Sequence, residues 1–418
     1  MSQATHRKIK VGVVGCGVVA TAYYLPYLMD HADLVAVCDL DPERTAACKR
    51  LFGAKEQYQD YAEMIKRADI EAVFILTGPG THARFTIQAA EAGKHILLQK
   101  PMATNMADTN AIVQAVRKAG VKALVEPSST TVLEQAYREL RSLIDKGVLG
   151  DPYWFSLIPT GPDRYHPSLG GNPYGLSAFY SQDSGGMLFD YPYAPTQIVT
   201  LLGACKSVLG MAKISVPERS IVPESEYTKF LNEATDPYNA NYWDVVVKLP
   251  RTEQVKMGAP DNVFSLYEMA NGAIGCFHVG RPFHPVLPGS GGGNLQIYGT
   301  EGNLFFGGGH LASIISSKQA LLPSVSDDGW YHIPPVGDVS KAVWPKPTPG
   351  GFNYYHESSQ HLIDCILEDR EPLVNVEWGR HITEMMVGAL ESARTGQRYP
   401  MTSTLDGLVT SAQSISLS

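Results

Sequence analysis

From position 10 to 125 the chain alternates short continuous apolar runs with stretches of helical period. The runs fall at 10–14, 34–38, 72–76, 96–98 and 123–125. A strand without polar alternation is buried on both faces, as in a parallel sheet covered by helices. The stretches between them, at about 18–29, 42–51, 81–92 and 105–119, predict those helices. The pattern then changes. A helix over 134–146 stops at Gly147, and the strands that follow are longer and alternate: 207–216, 243–249, 263–269, 273–279 and 294–298. Strands in succession without crossover helices predict a mainly antiparallel sheet. Residues 289–293 read as a glycine-rich turn. Residues 316–351, rich in Pro, Gly, Ser and Trp, show no period and read as an ordered lid or a mobile insertion. Two helices, over 356–368 and 377–395, close the pattern.

A chain of 418 residues exceeds one ordinary domain. The change of pattern divides it into 1–126 and 127–418. With 44% hydrophobic and 18% charged residues, the composition is that of a globular protein. The net charge of −8 and the absence of any long Lys/Arg block argue against nucleic acid or an anionic membrane as a partner. The first residues run straight into a strand without an apolar leader, and no apolar run reaches membrane-spanning length. The expected location is therefore cytoplasmic. Six scattered cysteines without a C-x-x-C pair suit reduced thiols better than a disulfide framework or a metal site.

The chemistry concentrates at strand ends. Gly15-Cys16-Gly17-Val18-Val19-Ala20 is G-x-G-x-x-A between the first strand and its helix. Gly15 permits the tight turn, Gly17 admits a pyrophosphate to the helix N-terminus, and Ala20 keeps helix and sheet close. Asp39 ends the second strand, where a carboxylate accepts from the adenosine ribose hydroxyls and repels a 2′-phosphate. NAD is thus favoured over NADP, with Leu40 beside it and Arg44 as a residue able to tolerate the phosphate. Asp39 and Asp41 also read as helix caps ahead of Pro42. Thr77-Gly78-Pro79 follows the 72–76 strand and faces the same crevice. Thr81 reads as a helix cap, and His82 either faces the cofactor or is structural. Lys100 leaves the 96–98 strand after Gln99, where open α/β sheets bind ligands, and both residues are expected to contact the cofactor. A dinucleotide and an amine at neighbouring strand ends suggest hydride transfer with a lysine acid/base. Burial beside a cationic nicotinamide lowers a lysine from its usual ~10.4.

Taken in order, GVVGCGVVA, CDLDPER, EAGKHILLQKP, LRSLIDKGVLGDP, IYGTEGNL and SARTGQRYP resemble the Gfo/Idh/MocA oxidoreductases over nearly the whole chain. The resemblance implies an α/β Rossmann domain followed by an α+β domain with a large, mainly antiparallel open sheet. It also implies a carbohydrate or polyol substrate between the domains, and a homo-oligomer, dimer or tetramer, built on the sheet's outer face. The family's Glu-Lys-Pro lysine maps onto Lys100, with Gln99 in place of the glutamate. Its Gly-Gly-x-x-x-Asp segment maps onto Gly185 to Asp190. The usual Tyr or His four residues further on is Ala194, and Gln197 stands where His-type members carry an Asp. Tyr193, one residue earlier than the usual position, and His166 in the Gly161–Pro167 loop remain as proton partners.

The expected catalytic set is therefore Lys100, His166, Asp190 and Tyr193, with Arg164, Tyr165, His166 and Tyr193 toward substrate. Asp190 also reads as a turn or cap residue, and His166 as part of a His-Pro turn. The loop 164–182, rich in Tyr, Asn, Ser and Gly, suits a polyhydroxylated ring. Trp330-Tyr331-His332 and Trp344 are read as lining either that pocket or a subunit contact, and Arg281 to His284 as reaching the cleft or standing on its rim. The reading is an NAD-dependent oxidoreductase acting on a sugar, polyol or glycoside hydroxyl. A redox-neutral glycosidase or epimerase that retains its NAD is the alternative, and a non-catalytic ligand sensor is a third.

Overall fold

The computed structural model describes residues 7–158, 181–238, 242–246, 248–280, 294–307, 310–333 and 354–405. Its first half is built from β1 (Lys10–Val14), a π-helical turn (Ala20–Tyr24) leading into α1 (Leu25–His31), β2 (Asp33–Cys38), α2 (Pro42–Phe52), β3 (Glu56–Tyr58), α3 (Tyr61–Ile65), β4 (Ala72–Ile75), α4 (Pro79–Glu91), β5 (His95–Leu98), α5 (Met106–Ala119) and β6 (Ala123–Val125). The six strands form one parallel sheet in the order β3-β2-β1-β4-β5-β6. Val11, Val13, Phe74 and Leu97 are buried on one face, and Val14, Ile75, Leu98 and Ile112 on the other. Burial on both faces is why these strands carry unbroken apolar runs. The winding reverses between β1 and β4, so a crevice opens beyond their C-terminal ends. Asp41 caps α2 by accepting from the amides of Glu43 and Arg44 ahead of Pro42, and Asn105 caps α5. The cap reading of Asp41 is the observed one.

The second half follows as α6 (Gln135–Asp145), β7 (Pro152–Ile158), α7 (Met187–Asp190), α8 (Tyr193–Leu202), β8 (Cys205–Lys213), β9 (Glu218–Ile221), α9 (Glu224–Glu233), α10 (Trp243–Val246), β10 (Glu253–Lys256), β11 (Asn262–Met269), β12 (Ile274–Gly280), β13 (Asn294–Gly299), β14 (Gly302–Gly307), β15 (His310–Ser316), β16 (Trp330–Ile333), α11 (Tyr354–Leu367), α12 (Val376–Thr395) and β17 (Tyr399–Pro400). Nine strands form a sheet in the order β16-β15-β14-β13-β7-β12-β11-β8-β17, antiparallel except between β7 and β12. Side chains of α6, α8 and α12, among them Leu140, Ile198 and Met385, pack on one face against Phe155, Val208 and Phe277.

One expected element is corrected. Residues 243–249 do not form a strand; Trp243–Val246 is a helical turn whose amides at Val245 and Val246 donate to the Tyr242 carbonyl. Tyr242 and Val246 are buried in the core of the first half, and that burial overrides the β-branched run.

Candidate dinucleotide and proton-transfer site

The crevice beyond β1 and β4 is a cavity of about 750 Å³. Gly15 sits at φ +96°, and a Cβ there would stand 2.6 Å from the Leu76 carbonyl oxygen, so only glycine makes this turn. Gly17 differs. Its φ is ordinary and nothing lies within 4 Å of a built Cβ, so a side chain would project into open cavity. Val18 and Val19 begin the helical turn behind it and line the cavity. Asp39 reaches across from β2: one carboxylate oxygen accepts the Cys16 amide at 2.7 Å, the other the Asp41 amide at 3.0 Å. Each oxygen keeps a lone pair for a ribose hydroxyl. Leu40 is 90% exposed on the cavity rim, an apolar side chain left bare where an adenine face would rest. These features fit a dinucleotide: a turn open to pyrophosphate, a carboxylate for the ribose and an apolar shelf for the base.

Thr77, Gly78 and Pro79 form the opposite wall. Thr77 and Thr81 share a hydroxyl hydrogen bond of 2.7 Å, and the Thr81 hydroxyl donates to the Gly78 carbonyl, which sets the loop. His82 is a correction to the cofactor-facing expectation. It is fully buried, its ring nitrogens lie 2.7 Å from the Pro101 carbonyl oxygen and 3.0 Å from that of Thr77, and burial holds its pKa below the usual value. It ties the Thr77 loop to the segment after Lys100 instead of lining the cleft.

At the inner end, Lys100 Nζ donates to Asp190 Oδ1 at 2.8 Å and to the Asp190 carbonyl at 3.3 Å. The two side chains are 13% and 9% exposed, so this is a largely desolvated ion pair. Lys100 arrives at the end of β5. Asp190 comes from α7, which starts at Gly186 with φ +76°, where a Cβ would strike the Pro260 carbonyl. The glycine pair thus turns the chain so that a four-residue helix delivers its last carboxylate to the lysine. Tyr193 presents its ring 5.5 Å from Lys100 Nζ. Arg164, Tyr165 and His166 lie outside the described residues, as do Trp344 and Arg281 to His284. Trp330, Tyr331 and His332 belong to β16 at the sheet's edge. Tyr331 bonds Glu139 and His332 bonds Ser313, away from the cavity.

Two groups of residues at the site escaped sequence reasoning. The first is a buried chain behind Lys100, of which the sequence singled out only Gln99, as a cofactor contact. The Lys100 amide donates to Gln99 Oε1 at 2.8 Å, Gln99 Nε2 donates to the Tyr24 hydroxyl at 2.9 Å, and that hydroxyl donates to Glu126 Oε1 at 3.0 Å. Glu126 also receives the Ser358 hydroxyl and the Ser128 amide. Burial pushes the Glu126 carboxyl up and these donors pull it back, the net direction being upward. The second is α9, which brings Glu224 and Tyr227 from the second half of the chain to the cavity wall beside Cys16 and Arg44. Its pattern of Tyr227, Phe230 and Leu231 after Pro223 signals a helix, but nothing local says where it docks.

A glycine-turn cavity with a carboxylate where a ribose would lie and a lysine at its inner end, in a chain whose second half is a large open sheet, is the architecture of a dinucleotide-binding protein. The chain belongs to the GFO/IDH/MocA family. Residues 9–126 match the oxidoreductase family, NAD-binding Rossmann fold, and residues 137–305 match the GFO/IDH/MocA C-terminal domain. Its cofactor is NAD. Inositol 2-dehydrogenase 3 of Saccharopolyspora erythraea is 31% identical over 196 residues, covering 46% of this chain and 56% of that protein. A dTDP-3,4-didehydro-2,6-dideoxy-alpha-D-glucose 3-reductase of Streptomyces violaceoruber is 29% identical over 200 residues, covering 47% and 55%. The chain thus spans about half the length of these curated relatives. A levoglucosan dehydrogenase in complex with NADH and L-sorbose shares the fold, with a TM-score of 0.72 at 20% identity, over 95% of this chain and all of that one. Among the described residues no helix is long and apolar enough to cross a membrane.

Proposed function

We propose that this protein transfers a hydride between NAD and a secondary hydroxyl of a sugar, polyol or glycoside, with Lys100 as the acid/base. The observation that carries the reading is the Lys100–Asp190 pair, largely desolvated at the inner end of the dinucleotide cavity. Bound NAD supplies the hydride acceptor; Gly15, Gly17, Asp39, Leu40 and the 77–79 loop hold it. The Lys100 amine takes the hydroxyl proton as the carbonyl forms, and Asp190 orients the amine and stabilises the ammonium. Tyr193 stands beside the pair as the candidate relay or hydroxyl contact, and His166, offered by the sequence for the same role, is its rival. The names of the relatives, which act on inositol and on a deoxysugar, support the substrate class.

The test is a panel of inositols, aldoses, anhydrosugars and glycosides incubated with NAD and read at 340 nm, with product mass. Stoichiometric NADH and a product two mass units lighter support the reading. A redox-neutral reaction with retained NAD is a second reading, favoured by the way α9 bonds across the glycine-rich turn through Tyr227. A changed product without net NADH, from protein that releases NAD only on denaturation, would select it.

A further inference from the structure

Segment 218–256 leaves the second half of the chain as the β9–β10 ribbon and carries α9 onto the first half. The docking is extensive. The buried Tyr227 hydroxyl donates to the Cys16 carbonyl at 2.9 Å and pairs with the Thr21 hydroxyl at 3.1 Å, inside the glycine-rich turn. Asn232 donates to Glu43 at 2.7 Å, and Arg50 donates to the carbonyls of Leu231, Asn232 and Ala234. Tyr227 and Leu231 are part of the same core as β1 and β2.

This docking fixes the surroundings of Arg44, the cation nearest Asp39 along the chain. Its guanidinium lies 3.3 Å from Asp41 and 3.5 Å from Glu224, donates to the Thr228 hydroxyl at 2.9 Å, and sits 4.9 Å from the centre of the Tyr227 ring. Thr228 in turn donates to Asp41 at 3.0 Å. Arg44, Glu224, Tyr227 and Asp39 all line the dinucleotide cavity, as does Arg84 from α4.

We propose that Glu224 is a specificity-determining residue for the adenosine end of the cofactor: it holds the Arg44 guanidinium on α9 and so denies a 2′-phosphate its counter-ion. This rests on the assignment of the cavity to a dinucleotide. Asp39 repels the phosphate directly. Glu224, supplied by the second domain, joins Asp41 in neutralising Arg44, the arginine that would offset the repulsion; Arg50, the other arginine of α2, is taken up by the carbonyls of Leu231, Asn232 and Ala234. The carboxylate is about half exposed, so the effect is moderate and screened by salt.

The test is direct titration of NADH and NADPH into nucleotide-free protein, followed by fluorescence, for wild type, Glu224→Gln, Arg44→Ala and the double variant. Circular dichroism and melting temperature confirm the fold. Glu224→Gln is expected to narrow the NADH:NADPH affinity ratio about fivefold at low ionic strength and less at high. The double variant is expected to lose that gain, because the gain requires a freed Arg44. An unchanged ratio in Glu224→Gln, or a gain that survives Arg44→Ala, would overturn the proposal. Failure of wild type to bind either nucleotide would instead overturn the dinucleotide assignment.

Discussion

The candidate site was readable wherever a residue lines the cavity from the end of its own strand. Gly15, Gly17, Asp39 and Lys100 were legible because each stands at a position that the strand-then-helix pattern defines. His82 was not, because its neighbours in sequence do not reveal that two carbonyls enclose it. Glu126 was silent for the same reason: its partners Tyr24 and Ser358 come from opposite ends of the chain. In the folded protein three donors converge on this fully buried carboxylate. An amide there sets an N–H against a donor that then has no acceptor. Glu126→Gln should therefore destabilise the protein by about 1–3 kcal/mol, read as a lower urea midpoint at unchanged slope. A midpoint equal to that of wild type would show that the chain behind Lys100 is not held by charge.

Elements were legible where their burial follows from their own sequence. Five of the six parallel strands are continuous apolar runs. β3 (Glu56–Tyr58) was missed because it is a short, mostly polar edge strand. The turn at Trp243–Val246 was misread because its partner core lies in the other half of the chain. The glycine turn is the element on which the cofactor reading rests, and Gly17 separates folding from binding there. Gly17→Val adds a side chain that meets no protein atom at Cβ. The variant should melt within about 2 °C of wild type yet bind NADH at least about tenfold more weakly, because the added group fills the space of the pyrophosphate. Undiminished NADH binding would move the dinucleotide elsewhere.

At the scale of the whole molecule, the described helices cover one face of the nine-stranded sheet. On the other face Met211, Leu266, Ile274 and Trp154 stand exposed, a collection of large apolar side chains that a monomer rarely leaves in water. The alternation along β11 and β12 made these strands readable, yet it could not say what covers the exposed face. We expect a second copy of the chain there. Wild type should run as a dimer or larger in size exclusion with light scattering, and Leu266→Glu with Ile274→Glu should reduce it to a monomer. A wild-type monomer at micromolar concentration would contradict this.

We propose that Lys100 exchanges the substrate proton while the cavity beside it holds NAD. This is tested most directly by Lys100→Met, comparing NADH affinity with turnover on the best substrate of the panel. The expected result is NADH still bound, with kcat lower by about 10²–10⁴-fold. Turnover within a few-fold of wild type would contradict the account.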